Sequence, residues 1–283
     1  MATLAFCISK SHSLKLEAPA RRFCSRILAA QLRIGALLTL AVVVFTGKPS
    51  YTQQKITQEQ VVRDPQALTL LQQAWNLMGG SAWSSAGSVQ LSGTLDHYHG
   101  KQRNGDFSLT VDRSGNTNTT MRDEQGNMTN YSLNGHSLTA SLPGKSQQTQ
   151  PLQSTLSVPS YFPLELIHRA LNDSSWAIVS LGTSTVNSTT CTEIEIKHVY
   201  PISNDRNQIQ SKFTIRHVYI DTQTGLIDRI ANTAYAATNV RITEPRTLDY
   251  ANYQQLGPYF LPSSVTDKID GQTILHMNVT AAN

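Results

Sequence analysis

His97 and His99 stand two apart in the run DHYHG, so on a strand both imidazoles face one side and could grip a metal ion. Two ligands are too few for a structural site, which takes four. The partners on offer, His136, His198, His217 and His276, are scattered along the chain. Solvated histidines at strand ends are the simpler reading, and no metal is expected. Cys191 lies in TTCTEIEIK, whose alternation reads as a strand. A thiol nucleophile needs a histidine and an orienting group beside it, so Cys191 reads as a small buried hydrophobe. Glu193 and Glu195 alternate with Ile194 and Ile196 and fit the solvent face of that strand better than a paired-carboxylate site. There is no G-x-S-x-G elbow, H-E-x-x-H, P-loop or G-x-G-x-x-G. No catalytic residue, and no cofactor, is assigned.

The remaining candidate chemistry is apolar. Leu91 and Leu95 alternate with polar neighbours, as do Phe107 and Leu109, and Tyr131 and Leu133. Each pair presents one side of a strand. With Trp75 from a preceding helix, these side chains are the candidate lining for an apolar ligand, a lipid or an acyl chain.

The elements that must hold them follow from punctuation and period. Asp64-Pro65 gives an N-cap and a proline at the first helical position. Leu68, Leu71, Trp75 and Met78 then recur at helical spacing until Gly79-Gly80. Strands are expected around 89–96, 107–112 and 117–122, with a hairpin at Asn134-Gly135. A second helix follows Pro163, with Leu164, Ile167 and Leu171 on one face. Strands resume at 176–181, 192–199, 212–221, 226–235, 247–253, 259–269 and 273–279, the last pair joined by Asp270-Gly271. About ten antiparallel strands and two helices are expected, without the spacing of a parallel sheet.

Upstream, Ile34 to Thr46 is an uncharged apolar run preceded by Arg21, Arg22, Arg26 and Arg33. Thirteen residues suit a signal-peptide core better than a span, which takes about 20. Residues 1–47 are therefore expected to be a leader, cleaved or retained as an anchor over 27–47. Residues 48–63 read as a polar linker, and 64–283 as one β-rich domain. The leader carries a balance of +5 and the rest of the chain −1, so the domain lacks the basic face that nucleic acid needs.

From Pro65 to Val279 the chain resembles the periplasmic lipoprotein-localisation-factor group, the LolA/LolB-like proteins. The resemblance is carried by ALTLLQQAWNLMGG, VQLSGTL, YSLNGHSLTASLPG, FPLELIHRALN, VYIDTQTGLIDRI and the closing DYANYQQLGPYFLPSSVTDKIDGQTILHMNV. It implies a mainly β fold: an incompletely closed antiparallel barrel, a curved sheet, with helices as a lid. The family's cavity receives acyl chains of lipoproteins. The family's arginine implicated in lid closure has no evident counterpart here.

The expectation is an exported, non-enzymatic domain in the periplasm or cell envelope, monomeric, holding a hydrophobic ligand between sheet and helices. An anchored interaction or sensor domain, or an exported hydrolase with Ser or Cys beside His, are the competing readings. If Ile34 to Thr46 directs export, Val42→Asp combined with Val43→Asp leaves the protein in the cytoplasm, because each central charge costs roughly 2.5–3.5 kcal/mol on insertion. Fractionation that finds this variant exported normally would remove the leader.

Overall fold

Alternating apolar and polar residues can be satisfied only if each strand covers one face and wets the other. In the computed structural model, which describes residues 59–98 and 103–283, thirteen strands do this in one open antiparallel sheet that is not closed into a barrel. The leader and most of the linker, residues 1–58, lie outside the described residues, as does His99. The strands are β1 (Ser88–His97), β2 (Arg103–Asp112), β3 (Thr117–Asp123), β4 (Met128–Asn134), β5 (Ser137–Ser141), β6 (Gln148–Thr149), β7 (Trp176–Val186), β8 (Thr189–His198), β9 (Arg216–Asp221), β10 (Ile227–Ala236), β11 (Asn239–Leu256), β12 (Tyr259–Ile269) and β13 (Gln272–Ala282).

Their order is β6-β5-β4-β3-β2-β1-β13-β12-β11-β10-β9-β8-β7. The first strand and the last therefore pair at the centre, and β6 and β7 are the two edges. Cross-strand register puts one apolar phase on one face. Leu91 faces Leu109, then Thr119, Tyr131 and Ala140 along one wing. Leu95 faces Met277, then Val265 and Tyr250 along the other. Ile230, Val218 and Ile194 continue that face towards β7.

Among the described residues five helices accompany the sheet: α1 (Pro65–Leu77), α2 (Gly80–Ser85), α3 (Leu152–Leu156), α4 (Pro163–Asn172) and α5 (Ile209–Phe213). The sequence shows only α1 and α4, since one-turn helices are too short to display a period. α5 also replaces the start of a strand expected from Lys212; β9 begins only at Arg216. Asp64 Oδ1 caps α1 by accepting from Gln66 N–H at 2.8 Å. Its fully buried stripe is Ala67, Leu71, Ala74 and Met78, while Leu68 and Trp75 are only half-buried. The two alanines let α1 pack closely on α4 and β7. Gly79 turns the chain with φ +93°, and a Cβ there would lie 2.9 Å from the Pro258 carbonyl oxygen.

Both edges are blunted, as exposed edges invite pairing with other chains. β6 has two residues. The β7 edge is covered by the segment before α1: Ile178 N–H donates to Val62 O at 2.7 Å and Asp64 N–H to Ile178 O at 2.9 Å. The Arg63 guanidinium donates to the carbonyls of Leu171, Asp173 and Trp176, satisfying the C-terminal end of α4. The expected hairpin at Asn134-Gly135 forms one residue later: Asn134 pairs with Ser137, so Gly135 and His136 make the turn.

Leu71→Ala should lower stability by roughly 2–5 kcal/mol, while Leu77→Ala, half-exposed on the same helix, should stay within about 0.5 kcal/mol. Urea unfolding showing equal losses would contradict this orientation of α1.

Candidate functional site

Because β6 and β7 are opposite edges, the chain between them, residues 150–175, has to cross the inner face of the sheet. It does so as a strap containing α3 and α4. Where the strap passes over β2–β5 it does not fill the concavity, and a cavity of about 410 Å³ remains. Leu109, Val111, Met121, Tyr131, Leu133 and Leu138 line it from the sheet, and Leu156, Val158, Pro159, Phe162 and Leu166 from the strap. Thr117 and Thr119 also face it. They stand where a larger apolar side chain would have closed the space.

Of the residues singled out from sequence, Leu109, Tyr131 and Leu133 line this cavity. Leu91, Leu95 and Phe107 share the same face of the sheet but lie outside the lining, packed in the core at 3–5% exposure. Trp75 is also outside the lining. It stacks near His168 at 6.4 Å and covers Gly80, where a Cβ would fall inside its indole ring. His97 lies at the cavity wall. Among the described residues no three His, Cys, Asp or Glu side chains gather as a metal site.

Sequence reasoning missed a charged interior. Arg246 Nε donates to Asp267 Oδ1 at 2.8 Å, and Asp267 is fully buried. Tyr161 donates to Asp267 Oδ2 at 2.8 Å and accepts from Arg246 at 3.3 Å. Burial and the Asp267 charge together push the Tyr161 hydroxyl well up, so it remains a donor. On α4, Glu165 is paired with Arg169 one turn on. Burial pushes Glu165 upward, against the pull of that arginine. Arg216 has no carboxylate partner among the described residues. Its Nη1 donates to the carbonyls of Phe213 and Ile215, and its Nη2 to those of Leu156 and Val158, at 2.8–3.2 Å. It thereby ties the strap to β9. Burial, aided by repulsion from Arg169 and Arg246, pushes its guanidinium down to about 9. A signal for these residues exists: Arg216, Arg246 and Asp267 each sit in the apolar phase of their strands, with Val218, Leu248 and Val265.

A ring cluster stands at one end of the cavity. Trp176 and His198 are 5.5 Å apart, His198 and Tyr200 4.3 Å, and Tyr200 and His136 6.0 Å, with Arg169 5.6 Å above Trp176. His136 comes from the β4–β5 turn, so this cluster bridges the two wings of the sheet. Ser175 Oγ lies 2.9 Å from His198 Nε2 there, which bears on the hydrolase reading. The serine has one hydroxyl proton, and Asp173 Oδ1 accepts it at 2.6 Å. His198 Nε2–H then donates to Ser175, and its buried Nδ1 has no partner. A catalytic base needs an acid at its far nitrogen; here the acid holds the serine instead. Asp173 also accepts from Ser175 N–H at 2.9 Å, so the trio is the turn that ends α4. Cys191 is buried on β8 with its thiol pushed up to about 12, by burial and by Asp228.

An open curved antiparallel sheet with a helical strap over a cavity is the architecture of LolA-type proteins. A LolA superfamily protein from Nitrosomonas europaea superposes with a TM-score of 0.50 at 10% identity, over 77% of this chain and 92% of that one. A domain named for outer membrane lipoprotein sorting, from Vibrio parahaemolyticus, gives a TM-score of 0.48 at 12% identity, over 77% and 92%. No protein-family model and no curated protein matches the sequence. The likeness is one of fold.

Asp267→Leu leaves Arg246 buried without its counter-charge and should lower stability by roughly 3–5 kcal/mol. The double change with Arg246→Met should recover part of that loss. Urea unfolding in which the double variant loses the sum of the single losses would deny the coupling.

Proposed function

We propose that this chain is an exported, non-enzymatic carrier or sensor of a hydrophobic ligand, held between the sheet and its strap. The observation that carries the reading is the cavity of about 410 Å³, whose walls combine an aliphatic and aromatic stretch with serines, threonines and charged groups. That volume lies within the range of about 300–1,000 Å³ usual for small-molecule sites. A packed domain closes such spaces, because an unfilled apolar cavity is destabilising. This one survives under a strap fastened by Arg216, Arg246 and the α4 contacts. Leu109, Tyr131 and Leu133 would meet the acyl chain.

The export segment at Ile34 to Thr46 and the fold together support a periplasmic or envelope location. The orphaned Nδ1 of His198 argues against hydrolysis at the mouth. A ligand can enter past the ring cluster, where the β4–β5 turn meets the end of β8 through the His136–Tyr200 ring contact.

A fluorescent fatty-acid reporter should bind the domain and be displaced by lipid extract, and native mass spectrometry of gently purified protein should show a lipid adduct. Thr117→Trp, which fills the cavity from a half-buried position, should weaken the reporter by about tenfold, equivalent to about 1.4 kcal/mol, with little change in melting temperature. A folded variant that binds the reporter undiminished would place the ligand elsewhere or nowhere.

A further inference from the structure

The charges of the cavity cancel. Arg169, Arg216 and Arg246 line it. Glu165 is paired with Arg169 and Asp267 with Arg246, and Asp173 is a further carboxylate in the lining. The terminal N–H groups of Arg216 are committed to four main-chain carbonyls. A guest whose head carried its own charge would be buried with no free charge to answer it, which is costly.

What the cavity leaves unmet is neutral. Thr117 and Thr119 stand two apart on β3, so both side chains share the face that lines it. Thr119 is only 6% exposed, and neither hydroxyl has a hydrogen-bond partner among the described residues. Register sets Tyr131 directly opposite Thr119 on β4, and directly opposed residues are side-chain neighbours. The Tyr131 hydroxyl is shielded from solvent and has no partner either; burial keeps it protonated, so it is a donor. The strap adds another hydroxyl. Gln150 N–H donates to Leu138 O at 2.7 Å, and α3, which follows, packs on β5 beside β4. This carries Ser154, a lining residue whose buried Oγ is likewise unpartnered, over the same wing. Buried hydroxyls are normally paired, so this cluster calls for a guest that brings oxygen acceptors and no charge.

We propose that the ligand is an uncharged acyl ester of a polyol, a monoacylglycerol being the simplest, whose ester and hydroxyl oxygens bond to Thr117, Thr119 and Tyr131 while its chain lies along Leu109 and Leu133. This rests on the cavity reading and narrows it. A carboxylate or phosphate head meets no uncommitted cation in the lining, and a bare alkane leaves the hydroxyls unpaired. A cavity of about 410 Å³ suits one chain better than two.

Four ligands of equal chain length test it on the unaltered protein at neutral pH: monopalmitoylglycerol, palmitoyl lysophosphatidate, palmitic acid and hexadecane. Each competes with a pyrene-labelled monoacylglycerol. Monopalmitoylglycerol should compete at least tenfold better than each of the others. Equal competition by all four would overturn the head-group inference and leave the cavity reading standing. The acid or the lysophosphatidate matching or exceeding the neutral ester would show that the site takes an anion, and hexadecane matching it would show that the hydroxyls take no head; either overturns the assignment. Failure of the reporter and of all four to bind would overturn both readings.

Tyr131→Phe and Thr119→Val, singly and together, localise the head. Both remove hydroxyls that have no partner to lose, so melting should hold or rise. Together they should cut the advantage of monopalmitoylglycerol over hexadecane by roughly tenfold, the scale of two neutral hydrogen bonds. An undiminished advantage would overturn the placement. Should the double variant fail to fold, each single variant decides in its place, with an expected loss of roughly threefold.

Discussion

The strap between β6 and β7 is the constraint on which this molecule is organised. Two consecutive strands occupy opposite edges of one thirteen-stranded sheet, so the connection must traverse a whole face. Its backbone groups then become buried and need partners other than water. α3 and α4 satisfy many of them internally, and side chains satisfy others. Arg216 reaches the carbonyls of Leu156 and Val158, and Tyr250 donates to the Ser160 carbonyl at 2.6 Å. Asn232 donates to Ser157 O at 3.0 Å. These polar residues lie on the otherwise apolar face because the strap lies there. The cavity and the charged interior are two results of the same crossing.

Much of the fold was legible. Period-two alternation located most strands, and Asp64-Pro65 and Pro163 located the starts of the two longer helices. Asp270-Gly271 marked its turn, both residues having positive φ. What alternation cannot reveal is which strand lies beside which. The pairing of β1 with β13, and hence the crossing, depends on contacts between distant parts of the chain. The resemblance to LolA-type proteins implied the open curved sheet and its helical lid, but not the order of its strands. The short helices α2, α3 and α5 escaped because five or six residues are too few for a period.

The site was legible in part, for a physical reason. An inward-facing leucine is the same residue whether it packs or lines a void; only the depth of what sits opposite tells them apart. Leu91 and Leu109 are register partners on adjacent strands, yet only Leu109 meets the cavity. The charged residues had a readable signature, since Arg216, Arg246 and Asp267 interrupt an apolar phase. A charge in that phase marks either a register slip or a built polar interior, and the sheet geometry establishes the second.

The central seam has a consequence for how the molecule comes to exist. β1 to β6 is a run of neighbouring hairpins, and so is β7 to β13; each can assemble from local contacts. The junction of Leu91 with Ala282 and of Leu95 with Met277 joins residues almost two hundred positions apart, and closing so long a loop is slow. The wall facing the cavity from β9–β11 is thus brought opposite β2–β5 only when the final strand has docked. A chain being extended presents two unfinished half-sheets until its last strand is in place. Enclosure of any guest is therefore the closing event of biogenesis, and a chain stalled short of β13 would offer two sticky surfaces and no container.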